Sequence, residues 1–239
     1  MMRHFYLCSL IVSSLVVPIF PSFAADTPPS NPPTAPTTTA APEYKPVVSG
    51  APTRRVGGGT RGNAASPLTI AVLTPEHVGK TVNISPKLYW AIYSKKSQKV
   101  TFSLNDPSKT EAVLEKVLPA VKDGIHSFDL ATEGVKLSKD VEYEWSVTVM
   151  NEDGSLSNNY SSGSIIYVNK PATLENELKG KDTPAFVYAK QGLWYDALQS
   201  LSENIEQYPE HAANLRQQRA ALLSQVGLKM LTEYEQASK

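Results

Sequence analysis

Leu137-Ser138-Lys139-Asp140-Val141-Glu142-Tyr143-Glu144-Trp145-Ser146-Val147-Thr148-Val149 carries the clearest structural signal in the chain. From Val141 onward it alternates. Val141, Tyr143, Trp145, Val147 and Val149 fall on one face, and Glu142, Glu144, Ser146 and Thr148 fall on the other. A period of two over this length describes a β-strand with one buried face and one wet face. Aromatic and β-branched side chains suit the packed side of a pleated surface.

More strands flank it. Leu68 to Val72 is a first apolar run, and Lys87 to Tyr93 places Leu88, Trp90 and Ile92 on one face. Val100, Phe102 and Leu104 form the next inward row, closed by Asn105-Asp106-Pro107. Thr110 to Leu118 is less regular and predicts an edge strand, because its charges and Pro119 discourage edge pairing. Asp123-Gly124 turns the chain into Ile125 to Leu130. The central strand ends at Asn151-Glu152-Asp153-Gly154, and Gly163 to Val168 is the last strand. About seven short strands with no helix between them predict an all-β antiparallel sandwich over residues 64–170. Trp90 and Trp145 are expected to face each other across its core. The spacing from Leu137 to Tyr143 resembles the tyrosine corner of immunoglobulin-like and fibronectin-type sandwiches, which implies that fold.

The N-terminal part has a different character. Arg3 and His4 precede an apolar run from Phe5 to Phe20, broken by Pro18 and Pro21 and followed by Ser22-Phe23-Ala24. This predicts a secretory signal peptide over residues 1–24, cleaved after Ala24 or Ala25. The run is too short and Ser-rich for a membrane span. The single cysteine, Cys8, lies inside it, so the exported chain is expected to have no disulfide and no thiol chemistry. Residues 25–63 are rich in Pro, Thr, Ala and then Gly, and predict an extended, disordered linker. Gly57, Gly59 and Gly62 fit a dinucleotide-binding spacing by letter. That motif needs a strand before it and a helix after it. Here Pro-rich sequence precedes it and Asn63-Ala64-Ala65-Ser66-Pro67 follows, so no cofactor is expected.

After Pro171 the apolar period lengthens to that of helices. Residues 171–239 predict a small α-helical region. A helical stretch starts at Leu174, and Thr183-Pro184 is an N-cap and first-turn pair. Leu193, Ala197, Leu198, Leu201 and Ile205 form one stripe, stopped by Pro209. Leu215, Leu222, Leu223 and Val226 form a second, closed by Gly227. Tyr188, Gly192, Ala197, Leu201 and Pro209 resemble part of one tetratricopeptide repeat, which implies an antiparallel helical hairpin. Leu193, Trp194 and Tyr195 depart from that pattern, because they put large apolar groups at a turn that is usually polar.

Arg55–Gly62, Pro75–Gly79, Ser85–Trp90, Gly124–Leu130, Glu142–Trp145, Gly192–Ala197 and Leu215–Ala220 form a joint set of motifs. On these segments the exported chain as a whole resembles the bacterial family catalogued as domain of unknown function 928. The resemblance implies no activity.

Chemistry-bearing patterns are sparse. Nucleophile-elbow, metalloprotease and phosphate-loop motifs are absent. Beyond His4, the histidines are His77, His126 and His211, without ligand spacing, so no metal is expected. His126 shares a strand face with Phe128 and Leu130 and reads as a hydrogen-bonded histidine at the core edge. Asn151 and Asp153 fit a hairpin turn better than a calcium loop. Glu142 and Glu144 read as a solvated face. Formal net charge is +0, which points away from nucleic acid. The chain is therefore expected to be a periplasmic or secreted, non-catalytic interaction or adaptor protein. It would bind a protein partner in the cell envelope and have no membrane span once the signal is cleaved. The candidate partner patch is Phe186, Lys190, Leu193, Trp194 and Tyr195, with docking of the Leu193–Tyr195 turn onto the sandwich as the competing account. The alternative function is a small-ligand or glycan-binding sandwich using Tyr89, Tyr93 and Tyr160 as a platform.

Overall fold

The structure is a computed structural model, and it describes residues 40–46, 68–181 and 183–237. The expected signal peptide (1–24) and the Gly/Arg segment (54–62) lie outside the described residues. Eight strands come first: β1 (Thr69–Val72), β2 (Gly79–Thr81), β3 (Lys87–Tyr93), β4 (Gln98–Asn105), β5 (Leu114–Val121), β6 (Gly124–Asp129), β7 (Glu142–Met150) and β8 (Leu156–Tyr167). Five helices follow: α1 (Leu174–Leu178), α2 (Pro184–Lys190), α3 (Trp194–Gln207), α4 (Ala212–Ser224) and α5 (Lys229–Ala237), with a 3-10 turn at Pro209–His211.

The strands form two sheets, ordered β1-β3-β6 and β2-β8-β7-β4-β5. The alternating stretch is β7, near the middle of the larger sheet. Tyr143, Trp145, Val147 and Val149 are buried as the period requires. The Tyr143 hydroxyl accepts the Ser138 N–H at 3.1 Å, so the corner bond expected from the Leu137 spacing is made. Pro119 lies in the edge strand β5, where its missing N–H removes no bond needed by an inner strand.

Three expectations need correction. The sheets are not wholly antiparallel, because β2 runs parallel to β8 through Gly79↔Ile165 and Thr81↔Tyr167. Trp90 and Trp145 are both buried, but the ring pair spanning the sheets is Phe102 on β4 and Phe128 on β6, stacked at 4.0 Å. Trp90 lies against His126 instead. The β region also departs from one wet face per strand, because the helical region docks on it. β3 is buried along both faces: Leu88, Trp90 and Ile92 face the other sheet, while Tyr89 faces the helices with Ser127. Period-two patterning signals one wet face, and a strand covered on both sides loses that contrast. The described architecture is thus mixed: two sheets with helices packed on both, α3 lying against β2 of the larger sheet and β3 of the smaller one, all in one compact unit.

Of the expected linker (25–63), only residues 40–46 are described, and these are packed rather than loose. Pro42 and Tyr44 are buried there, and Lys45 N–H donates to Ala189 O at 3.0 Å.

Candidate functional site

The sequence-derived patch divides into two parts at the α2–α3 turn. Gly192 takes a left-handed φ of 72°, which reverses the chain between the helices. The next three residues turn inward, with Leu193 2%, Trp194 0% and Tyr195 1% exposed. Leu193 packs with Leu174 and Val187, holding α1 against α2. Trp194 donates its indole N–H to Leu73 O at 2.9 Å. Tyr195 passes over Gly79, where an added Cβ would lie 2.6 Å from the Tyr195 ring, so only glycine admits it.

The Tyr195 hydroxyl sits at the centre of a buried polar cluster. It accepts the Trp145 indole N–H at 2.9 Å and donates to Ser164 O at 3.0 Å. Thr74 Oγ1 lies 2.9 Å from it. Burial pushes the Tyr195 phenol up, while bonds from Thr74 and Trp145 act in the opposite direction. Asp196 follows, and its Oδ2 accepts Val82 N–H at 3.1 Å. Burial pushes the Asp196 carboxyl up to about 6, against hydrogen bonds from Val82 and Thr81 that favour the charged form. One turn further on, Gln199 Oε1 accepts Lys87 N–H at 3.2 Å, and Lys87 Nζ meets Glu203 at 2.8 Å. Helix α3 is therefore bonded to the sheets along its first three turns. Leu193, Trp194 and Tyr195 belong to this seam, and their burial leaves them no surface for another molecule.

Phe186 and Lys190 belong to the opposite side of α2. Phe186 is half-buried and Lys190 is exposed. Both line an open groove of about 860 Å³ between α1 and α2, with Lys179 and Lys181 on its rim. Glu177 at the groove accepts from Gln191 Nε2 at 2.8 Å, and this bond holds its carboxyl below the usual range. The groove is what the structure keeps exposed of the predicted patch.

The remaining chemical candidates are separated. His77 lies beside Tyr44, His126 Nε2 pairs with Lys122 O at 2.7 Å, and His211 lies 3.7 Å from Glu210. Among the described residues, no group of three or more His, Cys, Asp or Glu is placed to hold a metal ion. Asn151 to Ser155 is a hairpin turn, closed by Asn151 N–H to Ser155 O at 2.8 Å. No helix among the described residues is long and apolar enough to cross a membrane. Tyr89 is buried beneath the helices while Tyr160 is on the other sheet, so the three tyrosines do not form one row. The sequence reading missed Thr74, Asp196 and Gln199, polar residues whose partners lie far away in sequence. Only the Asp196 position, directly after a buried aromatic pair, carried any signal.

Fold and seam together define a two-sheet β protein whose helical region is built into it rather than attached to it. The chain belongs to the family described as Domain of Unknown Function (DUF928), whose model matches residues 56–236. No curated protein matches the chain. Among solved structures, it is similar to an engineered protein at 12% identity and a TM-score of 0.29, over 42% of this chain and 20% of that one. The soluble domain of PmoD from Methylocystis sp. matches at 14% identity and a TM-score of 0.25, over 45% of this chain and 95% of that one. A beta-1,2-glucanase from Parabacteroides distasonis matches at 9% identity and a TM-score of 0.26, over 70% of this chain and 25% of that one. The chain spans about a fifth of the engineered protein, and likenesses of this size carry no functional argument.

Proposed function

We propose that this is an exported, non-catalytic interaction protein of the bacterial cell envelope that binds a protein partner through the α1–α2 groove. The observation that carries the reading is the division of the turn region. The chain uses Leu193, Trp194 and Tyr195 for its own packing, yet leaves Phe186 half-exposed beside Lys190 in an open groove. An aromatic anchor next to a cation is a common centre of binding energy. Lys179, Lys181 and Lys190 favour a partner segment bearing carboxylates and one apolar side chain. The finer fold reading is an immunoglobulin-like sandwich, supported by the strand orders β1-β3-β6 and β2-β8-β7-β4-β5 and by the Tyr143 corner. Helices α2 and α3 are read as a single tetratricopeptide-like hairpin that uses the sheets in place of further repeats.

The test is affinity capture from a periplasmic extract by the wild-type protein and by a Phe186→Ala/Lys190→Glu variant. Circular dichroism first establishes that the variant is folded. Proteins retained by the wild type and lost with the variant are the expected result. Identical captured sets would overturn the groove assignment. An intact mass that still includes residues 1–24 would overturn the export assignment.

A further inference from the structure

Tyr44 is the sole aromatic residue between Phe23 and Tyr89, in a segment of small residues and prolines. Residues 40–46 themselves form neither helix nor strand. Yet Pro42 and Tyr44 are buried while Ala41, Glu43 and Lys45 are exposed. Alternate burial along an extended segment is the pattern of a peptide bound by pockets for every second side chain.

The surroundings of Tyr44 match that pattern. A single side-chain amide reads the peptide backbone: Gln225 Oε1 accepts Tyr44 N–H at 2.8 Å, and Gln225 Nε2 donates to Pro42 O at 2.8 Å. Lys45 N–H donates to Ala189 O at 3.0 Å, near the end of α2. Ala189 O already accepts Gly192 N–H at 3.0 Å, so the arm takes a remaining lone pair of that carbonyl. The side chain is read separately. Its ring meets the Trp194 indole edge-on at 5.0 Å and lies parallel to the His77 imidazole at 5.8 Å. The Tyr44 hydroxyl lies 2.9 Å from His77 Nε2. Pro75 and Val226 help to close the pocket. Three backbone bonds come from two helix ends, and one aromatic slot comes from a loop and the α2–α3 turn.

We propose that this pocket is a peptide-recognition site for extended Pro-x-Tyr segments, and that residues 42–45 occupy it in cis as a tethered ligand. Residues 47–67 join the segment to β1 and reach at most roughly 70 Å when fully extended. A tether of this kind holds its ligand at an effective concentration on the order of millimolar. An external peptide of the same chemistry must outcompete it, so the site is closed until the arm leaves. The Tyr44 pocket shares no lining residue with the α1–α2 groove, although Ala40 of the same arm lines that groove, and the proposal does not rest on the proposed function.

The test uses the full exported chain and a fluorescein-labelled peptide of residues 40–46. A Pro42→Gly/Tyr44→Ala variant empties the site without altering its walls. Fluorescence anisotropy is expected to show saturable binding to this variant and at least tenfold weaker apparent binding to the wild type. Adding Gln225→Ala to the variant is expected to weaken binding at least tenfold. Hydrogen exchange supplies a readout independent of the added peptide. The Tyr44 and Lys45 amides are expected to be protected in the wild type and exposed in Gln225→Ala, with β7 protection unchanged. Three results would overturn the proposal: no saturable binding to the folded variant, equal binding to both chains, or an unprotected Tyr44 amide in the wild type. A concentration-dependent dimer abolished by Tyr44→Ala would overturn the cis assignment by placing the arm in a second copy.

Discussion

The Tyr195 hydroxyl shows how one polar atom can fix an interface. It serves Trp145, Ser164 and Thr74 in a space that excludes water. Tyr195→Phe retains the ring and removes the acceptor of the buried Trp145 indole N–H. A stability loss of about 1–3 kcal/mol is expected, the usual cost of unsatisfied buried polar groups. Urea unfolding measures it, and an unchanged midpoint would refute the role assigned to the cluster. Asp196 leads to a pH prediction. Its carboxyl rises from an ordinary value of 3.8 to about 6 in the fold. Between these values the native state holds the proton more tightly than the unfolded chain. The contribution is therefore full below about pH 4 and is lost as pH rises through about 6. Asp196→Asn should gain stability relative to the wild type between pH 4 and pH 7, by about 1–3 kcal/mol. Melts of both proteins at the two pH values test this, and a constant difference would count against it. The inward face of β7 was legible residue by residue, because its neighbours alternate. The hydroxyl and carboxyl partners were not, because residues 74, 145 and 195 meet only once the chain has folded.

Among the helices, α3 has a strong apolar stripe and α4 a weak one, although α4 buries Leu215, Ala220, Leu222 and Leu223. The difference is explained by Arg219 and Gln218, polar residues on the buried side of α4. Arg219 reaches Glu235 on α5 with Nε at 2.8 Å, and Ser202 on α3 with another nitrogen at 3.0 Å. One guanidinium thus ties three helices together. Burial raises the Glu235 carboxyl, and Arg219 pulls it back down. Glu235→Ala leaves the buried cation unpaired, and a loss of about 3–5 kcal/mol is expected. Adding Arg219→Met should recover much of that loss, because the charge is then gone as well. If the double variant were no more stable than the single one, the ion pair would not be what links α4 to α5. Periodicity located these helices correctly, since Pro184, Pro209 and Gly227 mark their boundaries. It could not show that a charged residue on α4 faces inward, because that depends on the residue opposite it.

Across the whole molecule, the seam along α3 joins sheets and helices into a single folding unit. Trp90, Trp145 and Trp194 are all buried, with the first two between the sheets and the third at the seam. Tryptophan fluorescence should therefore report the sheets and the seam, and ellipticity at 222 nm the helices. The two thermal transitions are expected to coincide, as they do in a cooperative two-state unit. Helical signal lost well before fluorescence would show that the helical region unfolds separately. Local order alone determined most strands between residues 68 and 168, though not β2 or the first half of β8, and it determined the helices after Pro171, the Tyr143 corner bond and the family. Each of these rests on neighbours within a few residues, on turn-forming residues or on contiguous motifs. Only tertiary structure decided that β3 is covered on both faces and that Leu193, Trp194 and Tyr195 are internal. It alone placed Tyr44, from a segment that reads as linker, in a pocket built from the α2–α3 turn, the loop at His77 and the end of α4. These outcomes depend on contacts between residues far apart in sequence, and a polar or aromatic residue does not reveal in isolation whether its partner will be water or protein.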